Sequence, residues 1–421
     1  MTMRRISTVF LCAFALSLSA QQGSYEQLLK EASSAREAHD ARHLLAALEQ
    51  MNALRPRHPT ILVNLIAAYA MNGRADDAIA VAERLLRMKV FFDASRVDFD
   101  ALRGDSRFLR ISDALRKLRD ERVAGAHVAF RIPEKGLIPE GLAWDPKSGR
   151  YFVSSVRLGK IIQIDRRHHA SDFFRGGKAG IHGLSGIGID RGRRLLWACS
   201  TASSRFAPYK KGEPNDPSIV AFDLKDGKVV RRIPFDEKNG FCDDLTVSDD
   251  GTLYVSDSTG AVLIAAPNEN RLTTLVPRGR IRSPQGSALS ADGRLLYVAD
   301  YGGPIRAVDL RTGDVAPLRL PDDFQPMGID GITRDRNRLI AVQNGIEPNR
   351  VVELTLSGDG LAVRDWKILE MNHPLMDEPT IGKMVGDIYY FVGASQGNQF
   401  DAGNPDPAKL TDAIIFAIPI R

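Results

Sequence analysis

The sequence predicts an all-β six-bladed β-propeller over its C-terminal two thirds, with a small all-α domain ahead of it. Three observations carry the prediction. A strand, tight turn, strand unit recurs six times after residue 124. The turns within and between the copies are Asp-Gly, Ser-Gly and Asn-Gly pairs, which favour short alternating strands. The preceding hundred or so residues are instead rich in Ala, Leu, Glu and Arg, with apolar residues three and four apart, as in helices.

The copies of the repeat begin at Pro139-Glu140-Gly141, Gly186, Asp243-Asp244, Gln285-Gly286, Asp330-Gly331 and, more loosely, Glu378. Their period of about 40 to 60 residues is that of propeller blades. In each copy a first strand runs into a turn at Asp145, Asp190, Asp249-Asp250-Gly251, Asp292-Gly293 or an equivalent, and a second strand follows. These are the two inner strands of a blade. Outer strands carry patterns such as Ile161 to Asp165 and Ile219 to Asp223. A closed ring hides its strand edges, and His127 to Arg131 with Ala413 to Pro419 are suited to seal it by pairing the two ends of the domain.

The helical stretch runs from Tyr25 to about Val123. Within it Leu65, Tyr69, Gly73, Ala78 and Ala82 stand at tetratricopeptide offsets, so this stretch resembles one such repeat. A weaker copy ends at Arg55-Pro56, and a degenerate third follows Asp98-Phe99-Asp100. So short an array is read as a structural appendage, with a peptide-binding groove for a protein partner as the alternative. The first residues, with Arg4 and Arg5, an apolar run from Val9 to Leu18 and Ser19-Ala20, have the layout of a secretory signal peptide. The expected organisation is therefore a signal peptide over 1–20, a tetratricopeptide-like domain over 21–123 and the propeller over 124–421. The protein is expected to be exported, periplasmic or secreted, without a membrane span.

The 57 Lys and Arg against 52 Asp and Glu leave a net charge of only +5, and the basic residues are interspersed with acidic ones, which argues against a nucleic-acid partner. No paired CxxC, phosphate-cradling Gly-Lys-Ser/Thr loop or dinucleotide fingerprint occurs. Gly393-Ala394-Ser395-Gln396-Gly397 spells a nucleophile elbow, but a turn-rich loop follows where that motif requires a helix, so it is set aside. Beyond the signal, Cys199 and Cys242 are expected as two buried free thiols, one disulfide being the alternative.

Residues just before or at the start of each innermost strand converge at the mouth of a propeller's channel. Here they are Glu140, His182 to Ser185, Asp243 and Asp244, Gln285, Asp330 and Glu378. Several carboxylates around one axis repel one another unless a cation lies between them, and an all-oxygen set suits Ca²⁺, with Mg²⁺, Mn²⁺ or Zn²⁺ as alternatives. At these residues the chain resembles the gluconolactonase, regucalcin and strictosidine-synthase-like group of six-bladed propellers. The resemblance rests on Pro139-Glu140-Gly141, Asp243-Asp244, Pro284-Gln285-Gly286 and Asp330-Gly331. It implies that Glu140, Gln285 and Asp330 hold one divalent metal and that Asp330 also serves the chemistry. It implies a substrate-lining place for Asp243; His182 and Asp244 are added as candidate substrate contacts from their position. Two departures stand out: Gln285 replaces the family's usual Asn, and Asp243 replaces an uncharged amide. The function expected is metal-dependent hydrolysis of a lactone or small ester. The alternative is a non-catalytic exported binding module whose helical repeats hold a protein.

Overall fold

A computed structural model describes residues 24–178, 180–401, 403 and 405–420. The expected signal peptide lies outside the described residues. The chain forms two compact units, one of the residues up to Glu121 with Pro321–Met327 and Ile346–Pro348, the other of Arg122–Leu320, Gly328–Gly345 and Asn349–Arg421. Among the described residues no helix is long and apolar enough to cross a membrane.

The first unit contains helices over 24–37, Ala41–Leu54, Pro59–Met71, Ala75–Arg87 and Ser106–Asp120, with a 3-10 turn at Val97–Leu102. Their starts are set by local chemistry. The Asp40 carboxylate accepts the His43 N–H, Pro59 occupies a first-turn position, and Asp105 accepts the Arg107 N–H. The third and fourth helices pack through small residues, Ala78 and Ala82 being fully buried against neighbours that include Leu65 and Ile66. The two later segments join this unit by hydrogen bonds. The Arg57 guanidinium donates to the carbonyls of Pro321 (2.8 Å) and Phe324 (3.1 Å), and the Phe91 N–H donates to that of Glu347 (2.7 Å).

The second unit is six four-stranded antiparallel sheets, each the blade of a propeller. The innermost strands are Pro139–Asp145, Gly183–Asp190, Cys242–Val247, Pro284–Leu289, Ile329–Asp335 and Gly382–Val385. Five blades are built from consecutive strands. The sixth takes its outermost strand, His127–Lys135, from the beginning of the unit and pairs it with Asp412–Pro419, His127 opposite Ala417. The two segments expected to seal the ring therefore do so.

The repeated Asp after each inner strand has a local task. Asp145 is fully buried, accepts the N–H groups of Lys147 and Ser148, and receives both terminal nitrogens of Arg194 from the second blade at 2.6 Å. The Arg194 pairing and these hydrogen bonds hold its carboxyl well below the usual range. Blades pack face to face through apolar layers such as Phe152, Leu184, Leu196, Val220 and Phe222, all buried. Each such side chain contributes about 2–3 kcal/mol of transfer free energy.

One expectation is corrected. Cys199, in the second strand of blade two, and Cys242, which opens blade three, form a disulfide, with Cα atoms 5.2 Å apart. Adjacent blades bring the two positions within bridging distance, which a sequence separation of 43 residues concealed.

Candidate functional site

The innermost strands all begin at the same end of the channel, and their first residues surround a cavity of about 220 Å³. Glycines make this convergence sterically allowed. A Cβ on Gly141 would lie 2.6 Å from the Ser185 carbonyl oxygen, and one on Gly286 would lie 2.8 Å from that of Asp330. The Glu-Gly and Gln-Gly pairs of the sequence thus combine a polar residue that faces the cavity with a glycine that admits the next blade.

Glu140 of blade one, Asp243 of blade three, Gln285 of blade four and Asp330 of blade five all line this cavity. Glu378, which precedes the sixth inner strand, joins them. Hydrogen bonds fix several of these groups. Asn344 Nδ2 donates to Asp330 Oδ2 at 2.6 Å and to the Pro379 carbonyl at 2.9 Å. The Tyr301 hydroxyl donates to Asn344 Oδ1 at 3.0 Å, so Asp330 is held at the end of a short chain of hydrogen bonds. Gln285 Nε2 donates to Ser283 Oγ at 3.1 Å, which orients its amide. The Thr380 hydroxyl donates to the Glu140 carbonyl at 2.9 Å, and Ser185 donates to that of Cys242 at 2.9 Å, just before Asp243.

The electrostatics follow from this crowding. Burial pushes the Glu140 carboxyl well above its ordinary pKa, and the charges of Asp330, Asp243 and Glu378 add to the effect. Asp243 is raised by burial and by Asp330 and Asp244. Asp330 is pushed up to about 7, chiefly by burial, against the opposing hydrogen bond from Asn344. One cation lines the cavity among the described residues: Arg205, from the loop between Leu195–Thr201 and Ser218–Asp223. It pairs with Glu378 at 3.4 Å and with Asp401 at 2.9 Å. Burial works against its charge, yet these carboxylates outweigh burial and raise its pKa.

Two of the expected site residues lie elsewhere. His182 packs edge-on against Phe206 and sits 3.5 Å from Asp216, and it does not line the cavity. Asp244 lines a separate cavity towards the other ends of the inner strands. Conversely, Arg205, Tyr301 and Asn344 line the mouth without having been singled out from the sequence. Tyr301 and Asn344 occupy equivalent places, each directly after the second strand of its blade, and that shared position was the available signal.

Among the described residues no three His, Cys, Asp or Glu side chains group closely enough to form a metal site by themselves. Of the four carboxylates around the cavity, Glu140 and Asp330 make up, with the Gln285 amide, the expected donor set. Its chemistry fits a hard divalent cation, because the pKa values of Glu140 and Asp330 are raised by burial and by the charges of nearby carboxylates, and such an ion offsets both.

No family model matches the chain, and no curated protein matches it by sequence. Solved structures do. A luciferin-regenerating enzyme superposes with a TM-score of 0.51 at 15% identity, covering 71% of this chain and 95% of its own. Regucalcin from Agrobacterium tumefaciens, described as a calcium-binding protein, superposes at 0.50 with 16% identity, covering 71% and 94%. A gluconolactonase from Xanthomonas campestris gives 0.49 at 17% identity, covering 71% and 91%. At these identities the likeness is one of fold: the chain carries the six-bladed propeller of the luciferin-regenerating enzyme and regucalcin structures, with a helical region ahead of it in sequence.

Proposed function

We propose that this chain is an exported, metal-dependent hydrolase of a lactone or small ester. The observation that carries the reading is the set of carboxylates from different blades around one cavity, Glu140, Asp243, Asp330 and Glu378, with the Gln285 amide among them. Glu140, Asp330 and Gln285 would hold the cation, with Ca²⁺ the best match to an all-oxygen set. When bound, it supplies a Lewis acid for the substrate carbonyl and makes water more acidic.

The remaining chemistry belongs to the side chains. Asp330 has one oxygen tied down by Asn344, whereas its Oδ1 makes no hydrogen bond among the described residues. On this reading that oxygen takes a proton from an attacking water. Water oxygen bonds to the carbonyl carbon, the carbon–oxygen ester bond breaks, and the departing alkoxide receives the proton from Asp330. A lactone thereby opens to a hydroxy acid. Asp243 and Tyr301 border the same space and can orient substrate hydroxyl groups. Export is supported by the Cys199–Cys242 bridge, which persists in oxidising compartments.

A second reading rests on Arg205, which places a cation of the chain's own at the mouth. On that reading the propeller is a binding module and the tetratricopeptide-like helices hold a protein partner. Metal analysis of the purified protein and a panel of lactones and esters separate the two. The hydrolase reading expects one divalent ion per chain and turnover that disappears in Glu140→Gln and Asp330→Asn. Absence of both metal and turnover in the wild type would leave the binding module.

A further inference from the structure

Of the four carboxylates that line the mouth cavity, three have a counter-charge, present or expected. Glu378 pairs with Arg205, while Glu140 and Asp330 belong to the expected donor set of the metal. Asp243 is the remainder. It is half-buried, and among the described residues its carboxylate accepts no hydrogen bond and pairs with no cation. Burial raises its pKa, and the neighbouring charges that act on it, from Asp330, Asp244 and Asp257, are all negative. Arg205 cannot serve it as well, being engaged by Asp401 on two nitrogens and by Glu378. The cavity has room for a positive group elsewhere too: Asp330 is more than nine-tenths buried, and its Oδ1 is unbonded among the described residues.

An aromatic ring accompanies Asp243. Phe241 lines the same cavity two residues earlier in the chain, where the alternation of an extended segment puts both side chains on one side. The residue between them is fixed in place. Cys242 is tied to Cys199 by the disulfide, its N–H donates to the Thr201 hydroxyl at 3.0 Å, and its carbonyl accepts from Ser185 at 2.9 Å. The Phe241 N–H donates to Asp257 at 2.9 Å, and Asp257 is itself paired with Arg278 at 2.8 Å. A carboxylate and a ring are thus presented together on a pre-organised backbone, and that pair suits an organic cation. A substrate hydroxyl would donate to Asp243 but leave its charge uncompensated, whereas an ammonium group answers both needs. A second metal ion fits less well, because the ring offers it no oxygen.

We propose that Asp243, with the Phe241 ring, binds an organic ammonium group, and that the lactone or ester hydrolysed at this mouth carries one. The second clause rests on the hydrolase reading; the first does not. With Glu140, Gln285 and Asp330 committed to the metal, the ammonium group and Ca²⁺ bind together instead of competing.

The test uses the full-length protein in saturating Ca²⁺ and compares choline with neohexanol, which has the same shape without the charge. Calorimetry should show saturable choline binding about tenfold or more tighter than that of neohexanol, the scale of one charge-assisted contact. Asp243→Asn should abolish this preference while holding Ca²⁺ affinity within about twofold, and Phe241→Leu should weaken choline by about threefold. Asp244→Asn removes the next charge along the strand, which faces the other cavity, and should change neither. Equal binding of choline and neohexanol in the wild type, a preference that survives Asp243→Asn, or displacement of choline by Ca²⁺ overturns the proposal. Loss of Ca²⁺ binding in Asp243→Asn overturns it as well, by making Asp243 a metal ligand. The substrate is read from turnover of acetylcholine against neohexyl acetate and of α-amino-γ-butyrolactone against γ-butyrolactone, the charged member of at least one pair being favoured in KM by about tenfold. Turnover without that preference refutes the substrate assignment. Turnover of none of the four, with choline selectivity intact, refutes the hydrolase reading and leaves the ammonium site standing.

Discussion

Replacing Asp330 by Asn should stabilise the metal-free protein at pH 8. The Asp330 pKa is raised from 3.8 to about 7, with burial as the main cause. Below about pH 4 the carboxyl is protonated in both folded and unfolded chains, so it costs nothing there. Between about pH 4 and 7 the folded state keeps a proton that the unfolded state has lost, and stability falls as pH rises; above 7 the full cost is present. A rise of about three units corresponds to about 4 kcal/mol. Glu140 and the other carboxylates redistribute their protons when one charge is removed, so the gain on substitution is about 1–3 kcal/mol. Asn at this position still accepts the Asn344 hydrogen bond, so that contact is kept. In a unit of roughly 300 residues the gain amounts to about 2–5 °C in Tm. Thermal unfolding followed by circular dichroism in chelator should show it at pH 8 and lose most of it by pH 4.5. Saturating Ca²⁺ should reverse the order, since the wild type gains about 2.7 kcal/mol at one hundred times Kd and the variant gains little. A variant that melts below wild type in chelator at both pH values would refute the charge argument.

Other perturbations test neighbouring parts of the same account. Asn344→Ala removes the hydrogen bond that opposes the rise in the Asp330 pKa, so the carboxyl should titrate still higher, as measured by carbon-detected NMR. Arg205→Gln removes a charge that lowers the pKa values of Glu140 and Asp330. The metal-free protein should lose a few degrees in Tm at pH 8 while Ca²⁺ binds several-fold more tightly, both read from melting curves across a Ca²⁺ series. Reduction of Cys199–Cys242, which closes a sequence separation of 43 residues, should cost about 4 kcal/mol on the loop-entropy scale. Urea unfolding with and without reductant checks this, and coincident midpoints would contradict it.

The fold was legible because a propeller writes its period into the chain: each Asp-Gly turn and each polar-Gly start marks a blade. Glu140, Asp243, Gln285 and Asp330 were legible for the same reason, since equivalent positions of a repeat converge on the axis. Asp244 shows how that reasoning must be refined. Successive strand residues point to opposite sides, so Asp243 and Asp244 cannot both face one cavity, and Asp244 lines the other. Arg205 was hidden because it lies inside a long loop, between Leu195–Thr201 and Ser218–Asp223, that departs from the strand pattern and so gives no register to read. The disulfide was hidden because pairing depends on the distance between neighbouring blades, not on spacing along the chain.

The position of Arg205 also constrains what the mouth can accept. Its guanidinium is engaged by Asp401 on two nitrogens, at 2.9 and 3.0 Å, and by Glu378 at 3.4 Å. It moderates the charge around Glu140 and Asp330 without cancelling it, because Glu140 remains raised in pKa by burial and by Asp330, Asp243 and Glu378, and Asp330 by burial and by Glu378 and Asp244. A cavity left negative repels a carboxylate ligand, binds a cation readily, and takes a neutral lactone only when something polarises its carbonyl. The two readings of the mouth therefore differ in the order of binding. For a hydrolase, a neutral lactone should bind measurably only after Ca²⁺ has been added. For a binding module that relies on its own charges, the preferred ligand should be cationic and should compete with Ca²⁺. Calorimetric titration of a lactone in chelator and then in Ca²⁺ separates these cases: lactone affinity that is the same in both solutions would remove the metal from the account of this site.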